Sequence, residues 1–222
     1  CSIGSFNKQI RFFSRHYRVI VADSRSQGIS YDRGDSLSYE MMADDYKTLL
    51  DSLRIDSCYV LGWSDGGING LLLAIRHPSK VKKLAITGAN LWPDTTAIDS
   101  YILKKTKHYY DSILNSVDKY NELKTKRLLI SQPNIEIIQL NKIQIPTLVI
   151  GGDHDVVLPR HTALIAESIP NSNLWIIPNS GHAIPRIYSK MFNDVVYKFY
   201  KEPYKRIDRK STRLNSSHGK LS

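Results

Sequence analysis

The residues whose types and spacing best suit a chemical reaction form the stretch Gly62-Trp63-Ser64-Asp65-Gly66. It matches the pattern G-x-S-x-G, and it stands between an apolar run typical of a strand and a segment typical of a helix. In that context the serine lies on a sharp turn with its Oγ exposed above the end of the strand. We therefore interpret Ser64 as a nucleophile; the alternative is a purely structural turn.

A serine nucleophile needs a base, and the base needs an acid that orients it. Two later segments offer these groups, each directly after an apolar run that predicts a strand: Gly152-Asp153-His154-Asp155 and Asn179-Ser180-Gly181-His182. The carboxyl ends of parallel strands lie at one edge of a sheet, where ligands bind. We predict that His182 is the base. Asp153 and Asp155 are both within reach of an imidazole, so spacing alone leaves the acid open.

Five other histidines have no comparable position after a strand, and we interpret them as structural or exposed: His16, His77, His108, His161 and His218. The two cysteines, Cys1 and Cys58, form neither a disulfide framework nor a metal site. Cys58 lies in an apolar run, where a small buried side chain is expected. The low cysteine count favours a cytoplasmic location without proving it, and the location stays unknown.

Strand and helix patterns alternate along the part of the chain that must position these groups. Apolar, β-branched runs predict strands at 17–23, 58–62, 83–88, 146–151 and 173–177. Apolar positions at helical spacing predict helices at 39–53 (with Ser38 as N-cap), 67–77, 161–168 and 187–200. This alternation predicts an α/β fold with a mostly parallel sheet covered on both faces. Residues 93–142 interrupt it with two or three amphipathic helices.

From about residue 17 to residue 200 the chain resembles the α/β-hydrolase superfamily. Gly152, Asp155 and Pro159 match the superfamily pattern G-x-x-D-x-x-x-P, which favours Asp155 as the acid. Residues 23–30 resemble its D-x-R-G-x-G-x-S loop, although Ser26 replaces the usual glycine. The run Gly-Trp-Ser-Asp-Gly-Gly, followed by Ile68 and by residues 87–90, is similar to the biphenyl-hydrolase-like group, which includes amino-acid ester hydrolases.

The resemblance implies a serine hydrolase that cleaves a small-molecule carboxylic ester through an acyl-enzyme, with no metal or organic cofactor. It places the amide of Asp65 in the oxyanion hole and pairs the Asp65 carboxylate with a substrate ammonium group. The alternative for that side chain is a solvated or structurally paired aspartate. The alternatives for the function are a C–C bond hydrolase, a thioesterase, an amidase, or a non-catalytic ligand-binding member of the fold.

The superfamily also carries a His-Gly loop that supplies a second oxyanion donor, and this loop and the first three strands would lie upstream of Cys1. We therefore expect an N-terminally truncated chain. The expected organisation is a hydrolase core at 1–92 and 143–206, a helical lid inserted at 93–142, and a disordered tail at 207–222. The tail resembles a cloning or assembly artefact and is left out of the reasoning on the fold.

Composition sets outer limits on function. The 222 residues and 41% hydrophobic content suit one soluble globular domain. The net charge of +10 is spread over predicted helices and the tail without a recognition motif, so we expect no nucleic-acid partner. No apolar stretch approaches the roughly eighteen residues of a membrane helix, so no membrane partner is expected. Nothing in the sequence determines the oligomeric state.

Overall fold

The computed structural model describes residues 3–32, 34–116 and 119–205. Its centre is a four-stranded sheet in which neighbouring strands are all parallel, in the order β1-β2-β3-β4. The strands are β1 (Cys58–Trp63), β2 (Val81–Thr87), β3 (Thr147–Gly152) and β4 (Ser172–Ile177). Four of the predicted strands are therefore confirmed, and so is the parallel sheet.

Nine α-helices lie within the described residues: α1 (Asn7–Phe13), α2 (Tyr39–Ser52), α3 (Asp65–Arg76), α4 (Ser100–Ile113), α5 (Tyr120–Ser131), α6 (Ile137–Leu140), α7 (Pro159–Ser168), α8 (Ile184–Ile187) and α9 (Ser189–Lys201). Ser38 is the N-cap of α2, because its Oγ accepts a hydrogen bond from the amide of Met41 at 3.2 Å. The sequence analysis predicted most of the helices after residue 38 but missed α1 and α8.

Helices cover both faces of the sheet, as predicted. Side chains of β2 alternate between the faces: Leu84 and Ile86 pack on the side of α2 and α3, whereas Ala85 packs on the side of α1 and α9. Each face buries its own apolar cluster, so the sheet is the middle layer of three. This arrangement holds the carboxyl ends of all four strands at one edge.

The prediction of a strand at 17–23 is wrong. Within the described residues, β1 is an edge strand that pairs only with β2. A cavity of about 490 Å³ separates its other edge from residues 17–24, and both segments line it. A strand forms only where a neighbour accepts and donates its backbone hydrogen bonds. The apolar run at 17–23 has no such neighbour in the described part of the chain.

The interruption at 93–142 contains α4, α5 and α6, which confirms the expected helices. A buried ion pair ties α5 to the loop that precedes α2: Lys124 Nζ donates to Asp32 Oδ2 at 2.5 Å and to the carbonyl of Gly34 at 2.6 Å. The boundaries of core and lid remain predictions, and the predicted tail at 207–222 lies outside the described residues. No helix in the described ranges has the length and apolar character needed to cross a membrane.

Candidate active site

Ser64 occupies the turn between β1 and α3 in a conformation that few side chains adopt. Its φ is 55° and its ψ is −121°, in the region that favours glycine. Its amide donates to the carbonyl of Thr87 at 2.9 Å, and its carbonyl accepts from the amides of Gly67 and Ile68. These bonds hold the strained residue against the end of β2 and at the start of α3. Backbone strain of this kind is concentrated at functional sites.

The glycines beside Ser64 differ in their physical role. A Cβ on Gly62 would lie 2.2 Å from the carbonyl oxygen of Gly66, and a Cβ on Gly67 would lie 3.0 Å from the Cβ of Ala89. A Cβ on Gly66 would meet nothing within 4 Å. Crowding therefore explains the first glycine of the G-x-S-x-G pattern but not the second.

His182 and Asp155 form a hydrogen-bonded pair at the carboxyl end of the sheet. The Nδ1 of His182 lies 2.7 Å from Oδ1 of Asp155, which also accepts from the amide of Val157 at 3.2 Å. The Asp155 side chain is fully buried, whereas that of His182 is 27% exposed. An ionised carboxylate has no hydrogen to donate, so the neutral imidazole carries its hydrogen on Nδ1. The lone pair of Nε2 is then free to accept a proton.

Asp153, the other candidate acid, binds the backbone instead of the imidazole of His182. Its carboxylate accepts from the amides of Ser180 at 3.0 Å and Asn179 at 2.9 Å. These two hydrogen bonds hold the pKa of Asp153 below its usual value. Asp153 thus ties the loop before His182 to the end of β3, and Asp155 is the carboxylate that contacts the imidazole of His182.

Gly88, directly after β2, is packed against this pair. Its φ is +62°, and a Cβ there would lie 2.7 Å from Cε1 of His182 and 3.5 Å from Oδ2 of Asp155. The sequence analysis placed Gly88 at the end of a predicted strand and within a resemblance, but it missed this steric role. A glycine that follows a buried strand at the carboxyl edge of a sheet is the signal that would have found it.

Asp65 begins α3, so its amide is among the first N–H groups of the helix and has no acceptor within it. Its carboxylate accepts from the hydroxyl of Tyr39 at 2.8 Å and from the side-chain amide of Gln27 at 3.3 Å. Burial, and then the charge of Asp65, raises the pKa of Tyr39 well above its usual value, so the phenol remains a donor. No ion pair among the described residues involves Asp65.

Three of the histidines that the sequence analysis set aside have contacts of their own elsewhere in the fold. His77 binds Asp44 at 2.7 Å, and His16 packs on the ring of Tyr197. His161 in α7 is buried and accepts from the amide of Leu91 at 3.0 Å; burial lowers its pKa to about 4, which keeps it neutral. His218 lies outside the described residues. Nowhere in those residues do three His, Cys, Asp or Glu side chains gather closely enough to hold a metal ion.

The fold and the comparison with a family model together identify the class of protein. Residues 2–125, more than half of the chain, match the family model described as alpha/beta hydrolase fold. The chain therefore belongs to the α/β-hydrolase family, as the resemblance predicted, and is a hydrolase.

Two curated relatives and one solved structure illustrate the likeness. RutD of Serratia proteamaculans (strain 568), which bears the provisional name of a carbamate hydrolase, is 31% identical over 87% of this chain and 85% of its own length. The human serine hydrolase BPHL is 27% identical over 87% of this chain and 73% of its own length. The enol-lactonase of Burkholderia xenovorans LB400 superposes with a TM-score of 0.73 at 20% identity, over 90% of this chain and 87% of that one.

Proposed function

We propose that this protein is a serine hydrolase that cleaves a small-molecule carboxylic ester through Ser64, His182 and Asp155. The observation that carries the proposal is the 2.7 Å contact between His182 Nδ1 and the fully buried Asp155. This contact lies at the same edge of the sheet as the strained turn that carries Ser64. An oriented imidazole that can reach a serine hydroxyl is the arrangement that activates the hydroxyl for acyl transfer.

In the proposed reaction, Oγ of Ser64 bonds to the ester carbonyl carbon while Nε2 of His182 takes the hydroxyl proton. Asp155 keeps the hydrogen of His182 on Nδ1 and stabilises the imidazolium that forms. His182 then gives the proton to the leaving alcohol as the C–O bond breaks, which leaves an acyl-enzyme. A water molecule attacks this ester, with His182 again taking and returning the proton, and the acid product leaves.

The negative charge on the carbonyl oxygen would be stabilised at the start of α3. The Asp65 amide lacks an intrahelical acceptor, and the helix dipole adds a partial positive charge at the same end. One such donor contributes on the order of a hundredfold in turnover. Because this donor belongs to the backbone, substitution of the Asp65 side chain leaves it in place.

The Asp65 carboxylate is proposed to select substrates with an α-ammonium group. Its two described hydrogen bonds come from the neutral groups of Tyr39 and Gln27, which orient the carboxylate without cancelling its charge. Asp65→Asn keeps an acceptor for Tyr39 but removes the charge. We expect kcat/KM for an α-amino ester to fall at least about tenfold, with little change for the matching ester that lacks the amino group. Equal losses on both esters would contradict this role.

The names of the relatives cover different bonds, because a carbamate carries nitrogen on its carbonyl carbon and an enol-lactone releases an enol rather than an alcohol. The same three residues would serve a thioester, an amide or a C–C bond, because selectivity depends on the shape of the pocket and lid. A panel of p-nitrophenyl esters, thioesters and anilides therefore accompanies the test below. A binding protein without catalytic activity would turn over none of them.

The first test is covalent labelling with a fluorophosphonate, followed by mass analysis of the peptide that contains Ser64. Labelling at Ser64 is expected in the unmodified protein and is expected to disappear in Ser64→Ala and His182→Ala. Ser112→Ala, which replaces an exposed serine of α4, is the control. Its Ser64 should be labelled as in the unmodified protein. An unlabelled Ser64 in the folded protein would overturn the proposed function.

A further inference from the structure

Trp63, the last residue of β1, connects the turn of Ser64 to the backbone of His182. Its indole Nε1–H donates to the carbonyl oxygen of His182 at 2.8 Å, although the two residues are 119 positions apart. The two rings also lie 6.0 Å apart between their centroids. Trp63 is buried in the sheet, so its side chain has little freedom to move.

This hydrogen bond differs from the other contacts that hold His182. Asp155 orients the imidazole, and Asp153 holds the preceding loop through the amides of Asn179 and Ser180. Both carboxylates belong to the segment after β3, so neither relates His182 directly to the turn that carries Ser64. Trp63 does so, because it is the chain neighbour of Ser64 and bonds the carbonyl of His182 itself.

We infer that Trp63 is a positioning residue for the proposed reaction: its indole N–H sets the place of the His182 main chain relative to Ser64. The inference rests on the proposed function. Proton transfer requires heavy atoms within hydrogen-bond reach, and a displacement of about 1 Å can cost about a hundredfold in rate. Loss of the N–H leaves the carbonyl of His182 free to shift, whereas the contacts of Asp153 keep the loop folded.

The test compares Trp63→Phe with the unmodified protein in the rate constant and the final extent of fluorophosphonate labelling at Ser64. We expect the rate constant to fall about tenfold or more while nearly all molecules still become labelled. With a substrate ester, kcat should fall and KM should stay nearly constant. Partial unfolding would instead lower the labelled fraction.

Two further variants sharpen the result. Trp175→Phe makes the same replacement in β4, at an indole that takes part in none of the hydrogen bonds of the described residues, and should label at the original rate. Replacement of Trp63 by β-(3-benzothienyl)alanine exchanges the N–H for sulfur at nearly constant shape. It should reproduce the slow labelling even if Trp63→Phe does not fold.

The possible results separate the two proposals. Slow and complete labelling of the Trp63 variants, with Trp175→Phe unchanged, supports the positioning role. Labelling of the benzothienyl variant at the original rate would overturn that role while the proposed function stands. Failure of the unmodified protein to label would overturn the proposed function and, with it, this inference.

Discussion

At the scale of single residues, Asp153 and Asp155 show how two carboxylates two positions apart take different environments. The backbone turn after β3 directs Asp155 into the buried space beside His182, where Oδ1 meets the imidazole. Asp153 points toward the loop after β4 and binds two amides. The sequence left both open as acids on spacing alone, because residue type and separation do not say which way each side chain points.

Gly88 provides the prediction at this scale. In Gly88→Ala the new Cβ would overlap the imidazole of His182, which lies 2.7 Å away, and the backbone at φ +62° would be strained. We expect kcat to fall at least about a hundredfold because the ring must move away from Asp155. Steady-state kinetics on a p-nitrophenyl ester, with circular dichroism to confirm folding, measures the effect.

The control for this variant is Gly181→Ala, beside His182 in the chain. A Cβ on Gly181 would make only an ordinary contact of 3.5 Å with the carbonyl of His154. Its activity should stay close to that of the unmodified protein. If both variants lose activity equally, general sensitivity of the loop rather than the overlap at Gly88 is responsible.

At the scale of elements, the sequence analysis failed at one strand, which needs a distant neighbour, and at two short helices, α1 and α8. Helix α2 satisfies its backbone internally and has Ser38 as a local cap, so its bounds were predicted closely. The apolar run at 17–23 has strand-forming residues, but its pairing depends on a distant partner. Helix α1 was missed, since its seven residues carry no capping side chain.

The buried ion pair between Lys124 and Asp32 provides the prediction at this scale. Both side chains are only 7% exposed, so Lys124→Met removes the hydrogen-bonded cation of the buried Asp32 carboxylate and leaves only the guanidinium of Arg25, 4.0 Å away. The free energy of unfolding is expected to fall by about 3 kcal/mol, measured by urea denaturation. Protease cleavage within α5 should also become faster, because α5 loses its tie to the loop before α2.

Lys190→Met is the matched control for Lys124→Met. The pair of Lys190 with Asp194 lies on the surface of α9, with the lysine side chain 92% exposed, so its loss should change stability very little. The double variant Lys124→Met with Asp32→Asn should regain part of the lost stability, since no unpaired charge stays buried. An unchanged unfolding curve for Lys124→Met alone would show that the pair does not stabilise α5.

At the scale of the whole molecule, His161 links global stability to pH. Its pKa is about 4 in the folded state, whereas an unfolded histidine titrates near 6.5. Between these values the unfolded state binds the additional proton, so stability falls as pH decreases from 6.5 to 4. The full loss from this group is on the order of 3 kcal/mol, and it is absent above pH 7.

Urea denaturation at several pH values measures this dependence. His161→Gln keeps a side-chain acceptor for the amide of Leu91 but cannot take up the proton. Its stability should therefore decrease less steeply between pH 6.5 and 4. The control His108→Gln replaces an exposed residue of α4. Its free energy of unfolding should change with pH as steeply as that of the unmodified protein. Identical slopes for His161→Gln and the unmodified protein would show that His161 is not the titrating group.

The sequence by itself determined the features that depend on local chemistry. Alternating apolar runs predicted the parallel sheet and its helices, and the turn pattern around Ser64 predicted where the first strand meets α3. The position of His182 after β4 followed from the same alternation. These signals are local because backbone geometry, turns and caps are decided by residues a few positions apart.

Only the tertiary structure decided which distant groups meet. The pairing of Asp155 with His182 spans 27 residues, the contact of Tyr39 with Asp65 spans 26, and the bond from Trp63 to His182 spans 119. Within the described residues, the unpaired edge of β1 and the absence of a strand at 17–23 are likewise decided by long-range packing. Hydrogen-bond partners of this kind depend on how the layers pack, and no periodicity along the chain encodes that packing directly.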